Sequence, residues 1–269
     1  MADTVAGSKP LDLTLIRDPL VHYPELYMEV YVAGDVYEQE AFADWMVQAA
    51  CTFAETPQEA DLVVFTGGAD VSPELYNMVP HRTTANDFRR DEEDFDLFKL
   101  CIDEGIPMLG VCRGAQFGAV MHGAKLYQDV DGHYQDHNMW DTRTKALIHP
   151  VSSVHHQMIM ADETSGMEVL GYSRISRRRD ITDNIVETSM IDDVEAVWFK
   201  DTGFFGVQGH PEYRGYPYYS QWVFKQLDKL FNHNPDYELR NNLRRMTEKA
   251  MEKRSYDLDK VLKDVRLPF

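Results

Sequence analysis

Cys112 stands in the stretch Gly-Val-Cys-Arg-Gly-Ala-Gln, residues 110–116, between an apolar run and a helix-like segment. A thiol there is either core packing or a nucleophile. Free cysteine is among the most buried residue types, and packing suits Cys51 and Cys101, neither of which has a glycine beside it. Gly110 and Gly114 do not fit packing alone. A strand, G-x-C-x-G and a helix make a nucleophile elbow, in which a sharp turn strains the nucleophile and glycines remove clashing side chains. That turn puts Cys112 at a helix N-terminus, where unpaired N–H groups and the macrodipole favour a thiolate. The N–H of Arg113 is then free to help bind an oxyanion. A cysteine nucleophile also needs a base and an orienting group. Residues 204–213, FFGVQGHPEY, supply His210 and, two residues on, Glu212. On extended backbone these two side chains share a side, and Pro211 between them fixes φ. Without Cys112 the same stretch reads as a surface turn with an incidental histidine.

The elements around these residues alternate. Residues 11–18 read as a strand, 37–50 as a helix, 60–68 as a buried strand ended by two glycines, and 92–105 as a helix with Phe95, Phe98 and Ile102 on one face and Gly105 as its stop. Residues 106–111 form a short buried strand and 114–123 return to helix. Such alternation predicts an α/β fold, a doubly wound, mostly parallel sheet flanked by helices. From about 124 to 207 the segments look mostly extended, and 219–232 resume helical periodicity. The charged stretch 236–269 reads as a helical C-terminal appendage. The expected division is a catalytic domain over 1–234 and a helical extension over 235–269.

The chain has 269 residues, 43% hydrophobic and 27% charged, enough for a sizeable core. A net charge of -18 repels a phosphate backbone, so no nucleic-acid partner is expected. No stretch is long and apolar enough to span a membrane, and the start has no apolar signal region. Three separated cysteines make neither a disulfide framework nor a CxxC site, which fits a reducing, cytoplasmic setting.

The motifs together resemble the class I glutamine amidotransferase domain, whose elbow reads G-[IV]-C-x-G-x-Q and whose His and Glu come from a later GVQxHPE strand. TGGADVSPELY at 66–76 and VSSVHHQMI at 151–159 resemble the loops of its stand-alone γ-glutamyl hydrolase-like members, as do CRG and the AKLYQDV stretch at 124–130. The resemblance covers roughly residues 11–230. It implies the flavodoxin-like fold of that family and cleavage of a γ-glutamyl amide, of glutamine or a γ-glutamyl amine, through a thioester on Cys112. It gives His210 and Glu212 the other triad places, Gly67, Gly68 and Arg113 the oxyanion hole, and Gln116, His155, His156 and Gln157 the glutamyl pocket. Two positions depart from the pattern. Gly209 stands where a bulky residue is usual, which would open one wall, and Ser152 replaces an asparagine.

The competing readings are a glutaminase component that passes ammonia to a separate synthetase or acceptor enzyme, and a non-catalytic binding protein on the same fold. The intact Cys112, His210 and Glu212 argue against the last. Homo-oligomerisation is left open. No cofactor and no metal are expected. His155 and His156 lack a third ligand of suitable spacing, and His133 and His137, four apart in GHYQDH, lack the intervening glutamate of a zincin and sit in a loop-like setting. Arg177, Arg178 and Arg179 read as a solvated hairpin tip, with a phosphate site as the sharper alternative. Residues 89–96, RRDEEDFD, read as a solvated helix start.

Overall fold

The structure, a computed structural model, describes residues 21–34 and 36–232. The strand expected at 11–18, the helical appendage and the division at 234/235 lie outside the described residues. The strands are β1 (Glu29–Val32), β2 (Thr52–Phe53), β3 (Leu62–Phe65), β4 (Met108–Val111), β5 (Leu126–Tyr127), β6 (Asp129–Val130) and β7 (His137–Asp141). They continue as β8 (Leu147–Val151), β9 (Met158–Ile159), β10 (Glu168–Ser173), β11 (Arg179–Thr182), β12 (Ile185–Glu187), β13 (Asp193–Phe199) and β14 (Phe204–Val207). The α-helices are α1 (Val36–Met46), α2 (Phe88–Glu104), α3 (Arg113–Met121) and α4 (Pro217–Leu227).

The main sheet has nine strands in the order β2-β1-β3-β4-β14-β13-β10-β7-β8. The first five pair in parallel. Their helical crossovers require this, since parallel neighbours cannot be joined by a tight turn. From β14 outward every pair is antiparallel, and no α-helix lies in the connections there. The β3 and β4 strands are buried on every residue, as strands covered on both faces must be. Leu62, Val64, Leu109 and Val111 point to one core, with Trp45 of α1 and Phe224 of α4. Val63, Phe65 and Met108 point to the other, with Phe98 of α2 and Phe117 of α3. The period of two along each strand thus divides the interior into two cores. Trp45 stacks on Phe224 at 4.5 Å between ring centroids, fastening α1 to α4.

Helix α2 differs from its sequence reading in start and in facing. Asp87 caps it by accepting from the N–H groups of Arg89 and Arg90, and Gly105 ends it in the left-handed region at φ 65°. Its buried residues are Asp91, Asp94, Phe98 and Cys101, whereas Phe95 and Ile102 are exposed. The two aspartates turn inward because Arg113 meets them there, so RRDEEDFD is not a wholly solvated start. The basic run is likewise divided. Arg179 is fully buried, donating from Nε to Asp193 Oδ1 at 2.9 Å and to the carbonyls of Ser189 and Ile191, so it is no solvated tip.

Candidate active site

The turn from β4 into α3 places Cys112 at φ 52° and ψ -112°. A non-glycine residue there costs on the order of 1–3 kcal/mol, a strain that surrounding packing must hold. The flanking glycines explain how. A Cβ on Gly114 would stand 2.1 Å from the Phe65 carbonyl oxygen, and one on Gly110 would stand 2.6 Å from both Gly114 O and the Phe204 ring. Only glycine lets α3 approach β3 and β4 this closely. The Cys112 N–H donates to Val207 O at 2.8 Å, which ties the elbow to β14, the strand that leads to His210.

His210 lies three residues beyond β14, buried, with Nδ1 2.6 Å from Glu212 Oε1. Burial disfavours the charged imidazole, but hydrogen bonds to Cys112 and Glu212, with their charges, outweigh it and hold His210 up to about 11. A Cβ on Gly67 would stand 3.1 Å from His210 Cε1 and 3.9 Å from both His210 Nε2 and Cys112 Cβ. Gly67, Cys112 and His210 therefore meet at one point. Tyr213 stacks on the imidazole at 4.4 Å, on the same loop.

Two features that the sequence did not reveal hold this arrangement. Ser152 Oγ accepts from the His210 N–H at 2.8 Å and donates to the His210 carbonyl at 2.8 Å, clamping the His210 backbone from both sides. Gly209 does not open a wall. A Cβ there would stand 2.7 Å from Ser152 O and 2.8 Å from Val151 Cγ1, so the position is a close approach between two segments of the chain. The second feature is the buried Arg113, whose guanidinium pairs with Asp91 and Asp94 and lies 4.9 Å from the Phe117 ring centroid. Asp91 also accepts from the N–H of Ser72, at 3.1 Å, and from its hydroxyl. Arg90 joins Asp94 to Thr66, donating to Thr66 Oγ1 at 2.9 Å. The loop of Gly67 and Gly68 is thus tied through α2 to the residue after Cys112. Gly68 adopts φ +139°, which side chains rarely allow.

Of the remaining candidates, Gln116 on α3 is buried and donates from Nε2 to Gln157 O at 3.0 Å. His155 is buried, its Nδ1 2.9 Å from the same carbonyl, and burial drives its imidazole down to about 3. The Gln157 side-chain amide is buried without a hydrogen-bond partner. His156 is only partly buried and bridges two loops, with Nε2 3.0 Å from Asp70 Oδ1 and Nδ1 3.3 Å from Asp129 Oδ1. His137, expected in a loop-like setting, opens β7, and Glu195 of β13 brings Oε1 to 2.7 Å from its Nε2.

A doubly wound sheet with a strained cysteine elbow opposite a histidine and glutamate defines a class I glutamine amidotransferase-like protein. The chain belongs to the Peptidase C26 family, whose sequence profile matches residues 44–212. It is 31% identical over 179 residues to the glutamine amidotransferase-like protein YvdE of Lactococcus lactis, covering 63% of this chain and 70% of that one. It is 26% identical over 163 residues to NtpR of Enterococcus hirae, covering 57% and 67%. It is 22% identical over 269 aligned positions to the carbamoyl phosphate synthase small chain of Helicobacter acinonychis, covering 88% and 67%. Among the described residues no helix is long and apolar enough to cross a membrane.

Proposed function

We propose that the protein hydrolyses a γ-glutamyl amide, glutamine or a γ-glutamyl amine, through a γ-glutamyl thioester on Cys112. The observation that carries this reading is the meeting of Cys112, on its strained elbow, with His210, whose Nδ1 lies 2.6 Å from Glu212 Oε1. The Cys112 sulfur attacks the γ-carbonyl carbon, forming the C–S bond and an oxyanion. The N–H groups of Gly68 and Arg113 hold that oxyanion, each lowering the barrier by about 3 kcal/mol. Arg113 N–H opens α3 and so has no acceptor within the helix. As the C–N bond breaks, the His210 imidazolium gives its proton to the departing amine. Neutral His210 then takes a proton from water, hydroxide attacks the thioester, and glutamate leaves as the C–S bond breaks. Glu212 keeps the imidazole in one tautomer throughout. Gln116 and the His155–Gln157 segment are assigned to the glutamyl part, on the strength of the resemblance.

A second reading, ammonia delivery to a synthetase, is favoured by the similarity to the carbamoyl phosphate synthase small chain over most of this chain. One experiment separates the two. The purified protein is given glutamine and a panel of γ-glutamyl amines, and glutamate and amine release are followed, with intact mass recorded for the thioester. Turnover and a γ-glutamyl adduct that both vanish in Cys112→Ala are expected. Turnover that needs an added synthetase favours delivery, and neither turnover nor adduct on any substrate refutes the chemistry.

A further inference from the structure

The proposed hydrolysis makes no use of a buried polar cluster that packs one layer behind Ser152. His133 lies in the turn before β7, His137 opens β7 and Glu195 sits in the middle of β13. His133 and Glu195 are 0% exposed. One ligand atom from each of the three lies within 4.8 Å of the others. His137 Nε2 and His133 Nδ1 are 2.7 and 3.6 Å from the same Glu195 oxygen. Ligands bonded to a tetrahedral zinc at 2.0–2.1 Å stand about 3.3 Å apart, so these separations bracket what such an ion needs.

The cluster is short of partners. His133 Nδ1 and Nε2 and Glu195 Oε2 are buried with no hydrogen bond, as are His155 Nε2 and Gln208 Oε1 beside them. The His155 ring lies 4.7 Å from that of His133, and Gln208 Nε2 lies 3.5 Å from His155 Nδ1. A buried polar atom left unpaired is destabilising, and several of them in one cluster call for a shared partner. An ion pair between His137 and Glu195 alone leaves both His133 nitrogens without a hydrogen bond, each 3.6 Å from a buried carboxylate oxygen, Nδ1 from Glu195 and Nε2 from Asp193. The donor set chooses the partner. Two imidazoles and a carboxylate suit zinc rather than a hard, all-oxygen cation. His137 Nδ1 is 3.3 Å from the Gln135 carbonyl, the outer contact that fixes a metal-binding imidazole in the tautomer with Nε2 free.

We propose that His133, His137 and Glu195 hold one buried zinc-class cation that braces the Ser152–His155 segment beneath His210. The connection is short. The His133 carbonyl accepts from Ser153 Oγ at 2.7 Å and from the His155 N–H at 3.1 Å, and Ser152 is the residue that clamps His210.

Zinc sulfate is titrated into chelator-stripped full-length protein against a competing chromophoric chelator. Cys112→Ala is titrated in parallel, because Cys112 and His210 are themselves zinc-binding groups. One equivalent per chain in the Cys112→Ala protein is expected, with a raised melting temperature. Loss of an outer contact alone weakens metal binding about 10–100-fold, so Glu195→Gln, which removes a direct ligand, lowers the affinity by about 100-fold or more. His149→Asn, an exposed histidine outside the cluster, leaves it unchanged. No stoichiometric zinc in Cys112→Ala, or equal affinity in Glu195→Gln, overturns the site. If Glu195→Gln does not fold, cobalt(II) added to stripped Cys112→Ala decides. A strong tetrahedral visible spectrum supports the site and an octahedral, water-like spectrum refutes it. Neither result depends on turnover.

Discussion

Gly209→Ala isolates the packing that places His210. One methyl group would stand 2.7 Å from Ser152 O, 2.8 Å from Val151 Cγ1 and 2.9 Å from Tyr219 Cε1. None of the three is the loose end of a flexible chain. Ser152 is held by its two hydrogen bonds to His210, Val151 closes β8, and Tyr219 is buried within α4. Overpacking of this kind costs about 1–3 kcal/mol. For a chain of this size each kcal/mol lowers the melting temperature by roughly 2–4 °C, so a fall of about 2–12 °C is expected. The relief available is a shift of the Gly209–His210 backbone, and a displacement near 1 Å at a reacting group costs about 100-fold in rate. Differential scanning calorimetry and glutamate release from glutamine, or from the best γ-glutamyl substrate found, measure both effects. Turnover falls more steeply than a stability loss alone would cause, because most of the variant remains folded at assay temperature. Wild-type melting together with wild-type turnover would refute the tight approach at Gly209. A melting temperature that falls while turnover stays at the wild-type value would refute its link to His210.

Ser152→Ala removes both hydrogen bonds to the His210 backbone and orphans its N–H, while Tyr213 N–H still reaches the carbonyl at 3.3 Å. A loss of about 1–3 kcal/mol in denaturant unfolding and a lower kcat are expected, and unchanged values in both measurements would remove the clamp from the argument. Glu212→Gln keeps the shape at 2.6 Å from His210 but removes the charge. The His210 imidazole is raised from 6.5 to about 11, so the stability of its charged pairing is fully present below pH 6.5 and lost as pH rises through 11. The melting-temperature difference between wild type and Glu212→Gln is therefore widest near pH 6.5 and narrows toward pH 11, and a difference that grows with pH contradicts this charge state.

The candidate reacting residues were legible because their signals are local. Gly110 and Gly114 sit within two residues of Cys112, and His210 and Glu212 are two apart on extended chain, so spacing alone carries the chemistry. The supports were hidden because they come from elements distant in the chain. Arg113 finds Asp91 and Asp94 across 22 and 19 residues, which turned one face of α2 inward and left Phe95 outside. Glu195 reaches His137 across 58 residues, the separation at which Ser152 reaches His210. No spacing rule finds a third ligand so far away. The parallel half of the sheet followed from β/α alternation, whereas the antiparallel half, without helical crossovers, showed in the sequence only as extended chain.

Ser152 and Gly209, separately odd in the sequence, explain one another in the fold. The Ser152 carbonyl occupies the space where a side chain at position 209 would begin, and the Ser152 hydroxyl grips the next residue, His210. A bulky residue at 209 would displace that carbonyl and carry the hydroxyl away with it. The small residue before the histidine and the short hydroxyl in place of an amide are therefore one packing solution. Its object is the imidazole facing Cys112, which is held from behind by Ser152, from the side by Glu212, and against the ring of Tyr213.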